Sequence, residues 1–577
     1  MAVRSFSSRV AIHRARVSWA DLVVAGGLAG LGYVILRLGP TLDMSRLSAN
    51  VTGTVSTAPS NLPYYAARSL LRMFIALFLS VVFTFVWGTA AARSRRARMV
   101  LIPILDILQS VPVLGFLTVT VTFFISLFPH SILGLELASI FAIFTSQAWN
   151  MTFSFYHSLI AQPAELDEAA RMFRLTKWQR FWRLDVPSSM IGLVWNGMMS
   201  FGGGWFFLAA SEAITVSGHS FALPGIGSYV ATALEKGSLG DVGIAIGVMI
   251  VMVVGVNVVF WRPLVAWAEK FRVETSESAD VPRSVTLSVL RRSHIPGMIA
   301  RPFLPAVRGL DRATRPFGLA EHPLHAQQVK RQVADIVFYV AVLAVVALGV
   351  YRLGVYLNRG IGFGQFPHCF YLGFLTFLRV VVLLVFSTVV WVPIGVEIGM
   401  NPRLARFAQP IVQVLASFPA NLLFPFATVI FIDLGIPLDF GGILLMALGA
   451  QWYILFNAIA GASAIPTDMR EMAQQFRLPT RQKWRQVILP AVFPAYVTGG
   501  ITAAGGAWNA SIVAEIVTFG HHHLVASGLG AYIAQATEAG EFAKVLVGII
   551  VMSFYVVVVN RVLWRPLYSL AERRYAL

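Results

Sequence analysis

The chain has 577 residues, of which 57% are hydrophobic and only 12% charged, with a formal net charge of +18. A soluble protein carries roughly twice that charged fraction, which excludes the soluble globular class. The basic residues sit beside long apolar runs, so membrane orientation explains them better than nucleic-acid binding. The single cysteine, Cys369, excludes an intrachain disulfide and a cysteine metal cluster, and no metal site is expected.

Arg4, Arg9, Arg14 and Arg16 precede a first apolar run at about 19–38 with no small-residue cleavage site after it, which reads as a retained span. Further runs long enough to cross a bilayer lie at about 66–91, 100–127, 134–158, 188–214 and 242–266. Between Glu269 and Arg331 no span is possible; eleven Lys and Arg with scattered Pro and Ser read as a linker carrying a short surface helix. The pattern then restarts at about 335–356, 370–398, 407–431, 440–462, 491–516 and 545–567. With six spans per half, the Arg-rich segments all fall on one side, expected to be the cytoplasm with both termini. These are the N-terminus, 93–98, 163–187, the linker, 466–490 and the C-terminus. The reading is an all-α polytopic membrane protein of twelve transmembrane helices in two parallel six-helix repeats. The domains expected are a first half at 1–268, a basic cytoplasmic linker at 269–333 and a second half at 334–577.

The halves repeat residue by residue. Trp261, Arg262 and Pro263 match Trp564, Arg565 and Pro566 at an offset of 303, as do Gly202, Gly203, Trp205 and Glu212 with Gly505, Gly506, Trp508 and Glu515. Earlier the offset is 307, pairing Arg72 with Arg379, Ser110 with Ser417 and Pro112 with Pro419. Parallel repeats of this kind are related by an axis along the membrane normal.

The polar island PAELDEAARMFRLTKWQRFWRLDVP (163–187) returns as PTDMREMAQQFRLPTRQKWRQVILP (466–490). In each, Pro opens a short helix, acids fill its first turn, and apolar residues recur at Leu166, Ala169, Ala170, Phe173 and at Met469, Met472, Ala473, Phe476. This pair resembles the cytoplasmic EAA loop of ABC importer permeases, whose pattern is Glu-Ala-Ala, a Gly one turn later, and a hydrophobic-Pro close. The matching residues are Glu168, Ala169, Ala170, Val186 and Pro187, then Glu471, Ala473, Leu489 and Pro490. Met472 departs from the first Ala, and Arg174 and Arg477 stand where the family has Gly, which leaves the turn after the helix open.

The resemblance implies the type I ABC importer permease fold and ATPase coupling through Glu168, Ala169, Ala170, Phe173, Arg174, Glu471, Met472, Ala473, Phe476 and Arg477. A charge at Ala170 or Ala473 is expected to uncouple transport while leaving the spans folded. It further implies two separate ABC ATPase subunits, which hold ATP and Mg, and an extracytoplasmic solute-binding protein; this chain would hold no cofactor of its own. No G-x-x-x-x-G-K-[ST] motif occurs, so the chain is not expected to be an ATPase or any other enzyme. WNASIVAE followed by GLGAYI (528–533), and the looser WFFLAASE with GIGSYV (225–230), look like the branch importing nitrate, sulfonates and taurine. A bacterial inner-membrane permease for a small anion follows from the resemblance. The alternative is a twelve-span secondary transporter, which would need coupling-ion carboxylates near midplane and no ATPase partner.

Polar and aromatic positions in spans are candidates for the solute path: Ser110, Gln147, Asn196, Trp205, Ser417, Gln451, Trp508 and Asn509. Each amide or hydroxyl among them could equally bond a neighbouring helix. Gly202–Gly204 and Gly505–Gly506 could loosen their helix or let helices pack closely. His521, His522 and His523 read as an exposed loop. Arg72 and Glu212, and Arg379 and Glu515, fall at similar depth near the outer face. They either form buried ion pairs, or the arginines line the path; pairing is favoured because an unpaired Glu there would repel an anion.

Overall fold

In hydrocarbon every backbone polar group must bond within its own segment, so the apolar runs form helices. The computed structural model describes residues 54–128, 131–216, 219–271, 285–295, 304–314, 328–519 and 522–574, with a short helical piece at 19–26. The rest of the first predicted span, much of the linker, and His521 lie outside the described residues.

The first half contains α1 (Leu62–Arg93), α2 (Arg95–Ser110), α3 (Val113–Leu127), α4 (Leu133–Ile160), α5 (Ala164–Met172) and α6 (Val186–Glu212). A hairpin of β1 (Ala213–Val216) and β2 (His219–Ala222) follows, then α7 (Ile226–Glu235) and α8 (Leu239–Val256). The linker contributes α9 (Val285–Arg292) and α10 (Leu304–Ala313). The second half contains α11 (Gln328–Gly360), α12 (Gln365–Met400), α13 (Pro402–Ser417), α14 (Phe424–Asp433), α15 (Leu438–Ser463), α16 (Thr467–Gln475) and α17 (Leu489–Ala514). It ends with β3 (Ile516–Phe519), β4 (His522–Val525), α18 (Leu529–Glu538) and α19 (Phe542–Val559). Helices up to α2 and α13 match at 307 and those from α5 and α16 onward at 303, so the four-residue difference falls around the turn between third and fourth spans.

Seven helices among the described residues are long and apolar enough to cross a membrane, and an eighth if the pair bent by 82° over Arg403–Asp433 counts as one. That bend corrects the expectation of a continuous third and ninth span. Pro lacks an N–H and pushes the residue before it out of the α region. Val111 before Pro112 and Phe418 before Pro419 accordingly take extended ψ values of 125° and 131°, and each span breaks in two. The chain is mostly helical, as expected, and two short antiparallel two-stranded ribbons follow α6 and α17. His522 and His523 belong to β4, not to a loop.

The chain divides into two compact units. The smaller comprises Met1–Asp43, Gln162–Val194 and Gly255–Glu321, and so holds the first polar island and the linker helices. The larger comprises Met44–Ala161, Trp195–Val254 and His322–Leu577. Within the larger, both halves share one apolar core: Val113, Leu117 and Val121 of α3 join Leu445, Trp508 and Met552. The contacts there are reciprocal. Strand β1 packs on α18 of the other half, and β3 packs on α7.

Candidate functional site

Three features carry the chemistry. The first is the pair of polar islands. α5 and α16 are nine residues each, and both end in the same turn: Leu175 N–H donates to Ala170 O (3.0 Å) and Leu478 N–H to Ala473 O (3.1 Å). This six-to-one closure requires a left-handed residue just past the helix, ordinarily Gly. Here it is Arg174 (φ 46°) and Arg477 (φ 44°), which answers the question the sequence left open. Holding a non-glycine residue in this conformation costs about 1–2 kcal/mol each. Beyond the turn, each island enters its span through one turn of π-helix, Phe181–Asp185 and Trp484–Ile488.

The islands present outward what the apolar stripe only partly foretold. Phe173 is 77% exposed and Phe476 75%, with Met172, Leu166 and Met472 also exposed. Ala170 and Ala473 are buried. A charge at either alanine would therefore fall within the island's own packing. Glu168 and Glu471 are exposed and Ala169 half-exposed.

The islands differ in how they are held. In the first, Asp167 pairs with Arg180 and with Arg171 (2.8 Å). Burial pushes the Asp167 carboxyl up, but the Arg180 guanidinium, aided by Arg171, outweighs this and holds it below the ordinary carboxylate range. The bracing is thus complete above the unfolded Asp value of about 4 and is lost as pH falls through the lower folded value. Hydrogen exchange of the island's amides, corrected for intrinsic rate, is expected to stay flat down to about pH 4 and accelerate below it. In the second island Arg470 replaces Asp167 and donates to Ala462 O (2.8 Å). The linker helix α10 also reaches the first island: Arg183 pairs with Asp311, Gln179 Nε2 donates to Asp311 O (3.2 Å), and Thr176 Oγ1 donates to Thr314 Oγ1 (3.3 Å). Among the described residues no such helix contacts the counterparts Pro479, Gln482 and Gln486. Instead Gln486 lines a groove of about 410 Å³ with Met469, Met472, Ala473 and Phe476.

The second feature is a cavity of about 270 Å³ in the larger unit, far above the ~10–15 Å³ one water requires. The two span breaks line it, with Gln109 and Val111 from one side and Ala416 and Phe418 from the other. Thr145, Asn150, Asn196, Ser200, Tyr453, Asn457, Thr498, Thr502 and Asn509 also face it, beside Trp149, Phe206 and Phe207. No Asp, Glu, Lys, Arg or His is among the lining residues. Broken backbone at membrane depth is tolerated where it lines such a space. Asn509 Oδ1 accepts from the freed Val113 N–H at 2.8 Å.

Of the candidate path residues, Asn196 and Asn509 line this cavity, and Ser417 lines a smaller pocket with Met198 and Tyr453. Asn196 also donates to Ser154 Oγ (3.0 Å). Ser110 sits at the C-terminal end of α2, at the break. The other four do not line the cavity. Trp205 and Trp508 are buried in the core, Gln451 accepts from Trp391 Nε1 (2.8 Å), and Gln147 is fully buried, with no partner for either amide atom among the described residues. The glycines of α6 serve close packing. A Cβ at Gly202 would lie 2.6 Å from Ser417 Oγ and one at Gly204 2.8 Å from Gln147 Nε2, whereas Gly505 faces open space.

The third feature is a buried ionic network in each half. Arg72 Nη1 lies 2.6 Å from Glu212 Oε1, and Arg379 Nη1 lies 2.8 Å from Glu515 Oε1. Each pair has a further carboxylate that sequence reasoning missed. Arg72 Nε meets Glu136 Oε2 at 2.6 Å, and Arg379 Nη2 meets Asp439 Oδ1 at 2.6 Å. Glu136 and Asp439 are themselves 303 apart, so the repeat already contained the signal. Arg68 also pairs with Glu136, while its counterpart is Leu375. The glutamates complete the N-termini of α7 and α18: Glu212 Oε2 accepts from Gly227 N–H (2.7 Å) and Glu515 Oε2 from Gly530 N–H (2.8 Å). This explains the G-x-G spacing. A Cβ at Gly225 would sit 2.2 Å from the Glu212 carboxyl carbon, and one at Gly528 would sit 2.1 Å from Glu515 Oε2.

Comparison with known proteins agrees with this duplicated arrangement. The family model for the binding-protein-dependent transport system inner membrane component matches twice, at residues 80–266 and 391–564. The nitrate import permease protein NrtB of Leptolyngbya laminosa is 28% identical over 182 residues, covering 32% of this chain and 62% of that protein. The bicarbonate transport system permease protein CmpB of Synechococcus elongatus is 28% identical over 164 residues (28% and 56%). The putative aliphatic sulfonates transport permease protein SsuC of Bacillus subtilis is 29% identical over 160 residues (28% and 54%). The chain thus spans little more than half the length of these relatives. Because the two family matches together cover more than half of the chain, it belongs to the binding-protein-dependent transport system inner membrane components, as a duplicated ABC importer permease.

Proposed function

We propose that this chain supplies both permease halves of an ABC importer, with twelve spans, cytoplasmic termini and a pseudo-two-fold path for a small anion such as nitrate, bicarbonate or a sulfonate. The observation that carries the reading is the pair of matched islands, each presenting an exposed Phe on a short amphipathic helix. Such a helix suits insertion into a groove on a partner. Two separate ATPase subunits hold ATP and Mg and receive α5 and α16, and an extracytoplasmic binding protein delivers the solute. The uncharged cavity supports passage: amides and hydroxyls donate to an anion without the strong electrostatic hold that would slow release.

Phe173→Asp with Phe476→Asp is expected to cut solute-stimulated ATPase activity and uptake at least about 100-fold, since each variant places an unpaired charge in an apolar contact. The monodisperse yield of the permease alone should hold, because both rings are exposed. Vesicles reconstituted with the permease and an ATPase subunit that copurifies with it, assayed on nitrate, bicarbonate and an alkyl sulfonate, would measure it. Wild-type rates in the double variant would refute docking through these helices.

A further inference from the structure

The two arginines at the left-handed turns lack an explanation within the chain. Gly at either position would adopt the same backbone without strain. Yet both copies keep Arg within an identical Phe-Arg-Leu, while positions further out diverge: Asp167 against Arg470, Thr176 against Pro479, Arg183 against Gln486. Of the other arginines of the islands, Arg171, Arg180, Arg183 and Arg470 bond within the chain. Arg174 and Arg477 are exposed, and no hydrogen bond or ion pair to either side chain is found among the described residues. Each follows directly on an exposed Phe.

Backbone strain that persists without an internal gain points to function. We propose that Arg174 and Arg477 are a matched pair of cationic contacts, each engaging a carboxylate on the rim of the ATPase groove that receives the adjacent Phe. This rests on the docking read above and adds the chemistry of the partner: an acidic rim beside an apolar groove, twice over. The left-handed turn redirects the chain immediately after the Phe, so the guanidinium leaves the helix end instead of continuing its apolar stripe. An anionic lipid surface would also attract arginine. It would not, however, single out the same strained position on both docking helices when the chain has so many other basic residues to offer.

The test uses the full-length permease in nanodiscs and an ATPase subunit that copurifies with it. Arg174→Asn with Arg477→Asn removes both charges while keeping a residue that tolerates the left-handed conformation. ATPase affinity is expected to fall about tenfold at low salt (about 50 mM), with the difference shrinking to about twofold or less near 500 mM. Arg174→Lys with Arg477→Lys should recover part of the loss, and the melting temperature of the free permease should not fall in either variant. Equal affinity of the Asn variant at both salts would overturn the proposal. So would a loss seen only with anionic lipid and absent in zwitterionic nanodiscs, which would assign the arginines to headgroups. Phe173→Asp with Phe476→Asp, run in parallel, separates the two levels. If that variant loses ATPase binding and the Asn variant does not, the arginine contact alone is wrong; if neither does, docking through these helices is wrong as well.

Discussion

Arg72→Ala is expected to abolish assembly of a monodisperse permease. The guanidinium is 2% exposed and is shared by Glu136 and Glu212, on α4 and at the end of α6. Removing it leaves Glu212 with Ser69 and the Gly227 amide as donors but no counter-charge. Breaking a buried pair by deleting one partner costs about 3–5 kcal/mol, a large part of a typical stability. Arg68 can still neutralise Glu136, so the damage should centre on the contact between α1 and the start of α7. The exchange Arg72→Glu with Glu212→Arg should restore yield only in part. It reverses one pair but sets a new carboxylate beside Glu136. Fluorescence-detected size exclusion of the single and exchanged variants measures this. A well-assembled Arg72→Ala permease with weakened anion affinity would instead make the arginine a path-lining group.

Gly528→Ala should be nearly as damaging, although it adds a single methyl. Its Cβ would fall 2.1 Å from Glu515 Oε2, and the carboxylate cannot yield without releasing Arg379, Thr376 and the amides of Gly530 and Ala531. Overpacking alone costs about 1–3 kcal/mol, and displacing Glu515 adds the loss of its buried pair. The residue's extended φ of −157° suits any amino acid, so the effect is one of space and not of backbone strain. The matching Gly225→Ala meets Glu212 at 2.2 Å and should behave alike. Gly505→Ala is the natural control, since a Cβ there meets nothing within 4 Å. If the thermal midpoints of Gly528→Ala and Gly505→Ala agree, the close approach does not constrain the fold.

Much of this was legible in the sequence because the chain is written twice. A residue that recurs at a fixed offset, in a membrane where charge is costly, points to its own structural role. Arg72, Glu212, Arg379 and Glu515 were found that way, and Glu136 and Asp439 were available by the same rule. Pro112 and Pro419 also recur, but the apolar run through each stays continuous, so hydropathy conceals a break that the local chemistry of Pro enforces. Path residues were harder. A span is apolar all round, so no periodicity tells which side faces the cavity, and Trp205, Trp508, Gln147 and Gln451 turned away from it. The same limit applies to Ala170 and Ala473. In a nine-residue helix the stripe marks an apolar side, without distinguishing the row that packs inward from the row offered to a partner.

The absence of formal charge around the cavity has an electrical consequence. A monovalent anion moving inward across a negative-inside membrane works against about 2.3 kcal/mol per 100 mV. A fixed lysine or arginine in the path would move in one step of the cycle and move back in another, so it would alter the voltage dependence of single steps and not the charge moved per turnover. Under the proposed function, an anion in this cavity meets no formally charged side chain among the lining residues, so its own charge is the only one displaced there. If the chain imports a monovalent anion as proposed, each turnover moves one full elementary charge per ion, and import should slow as the membrane is polarised further.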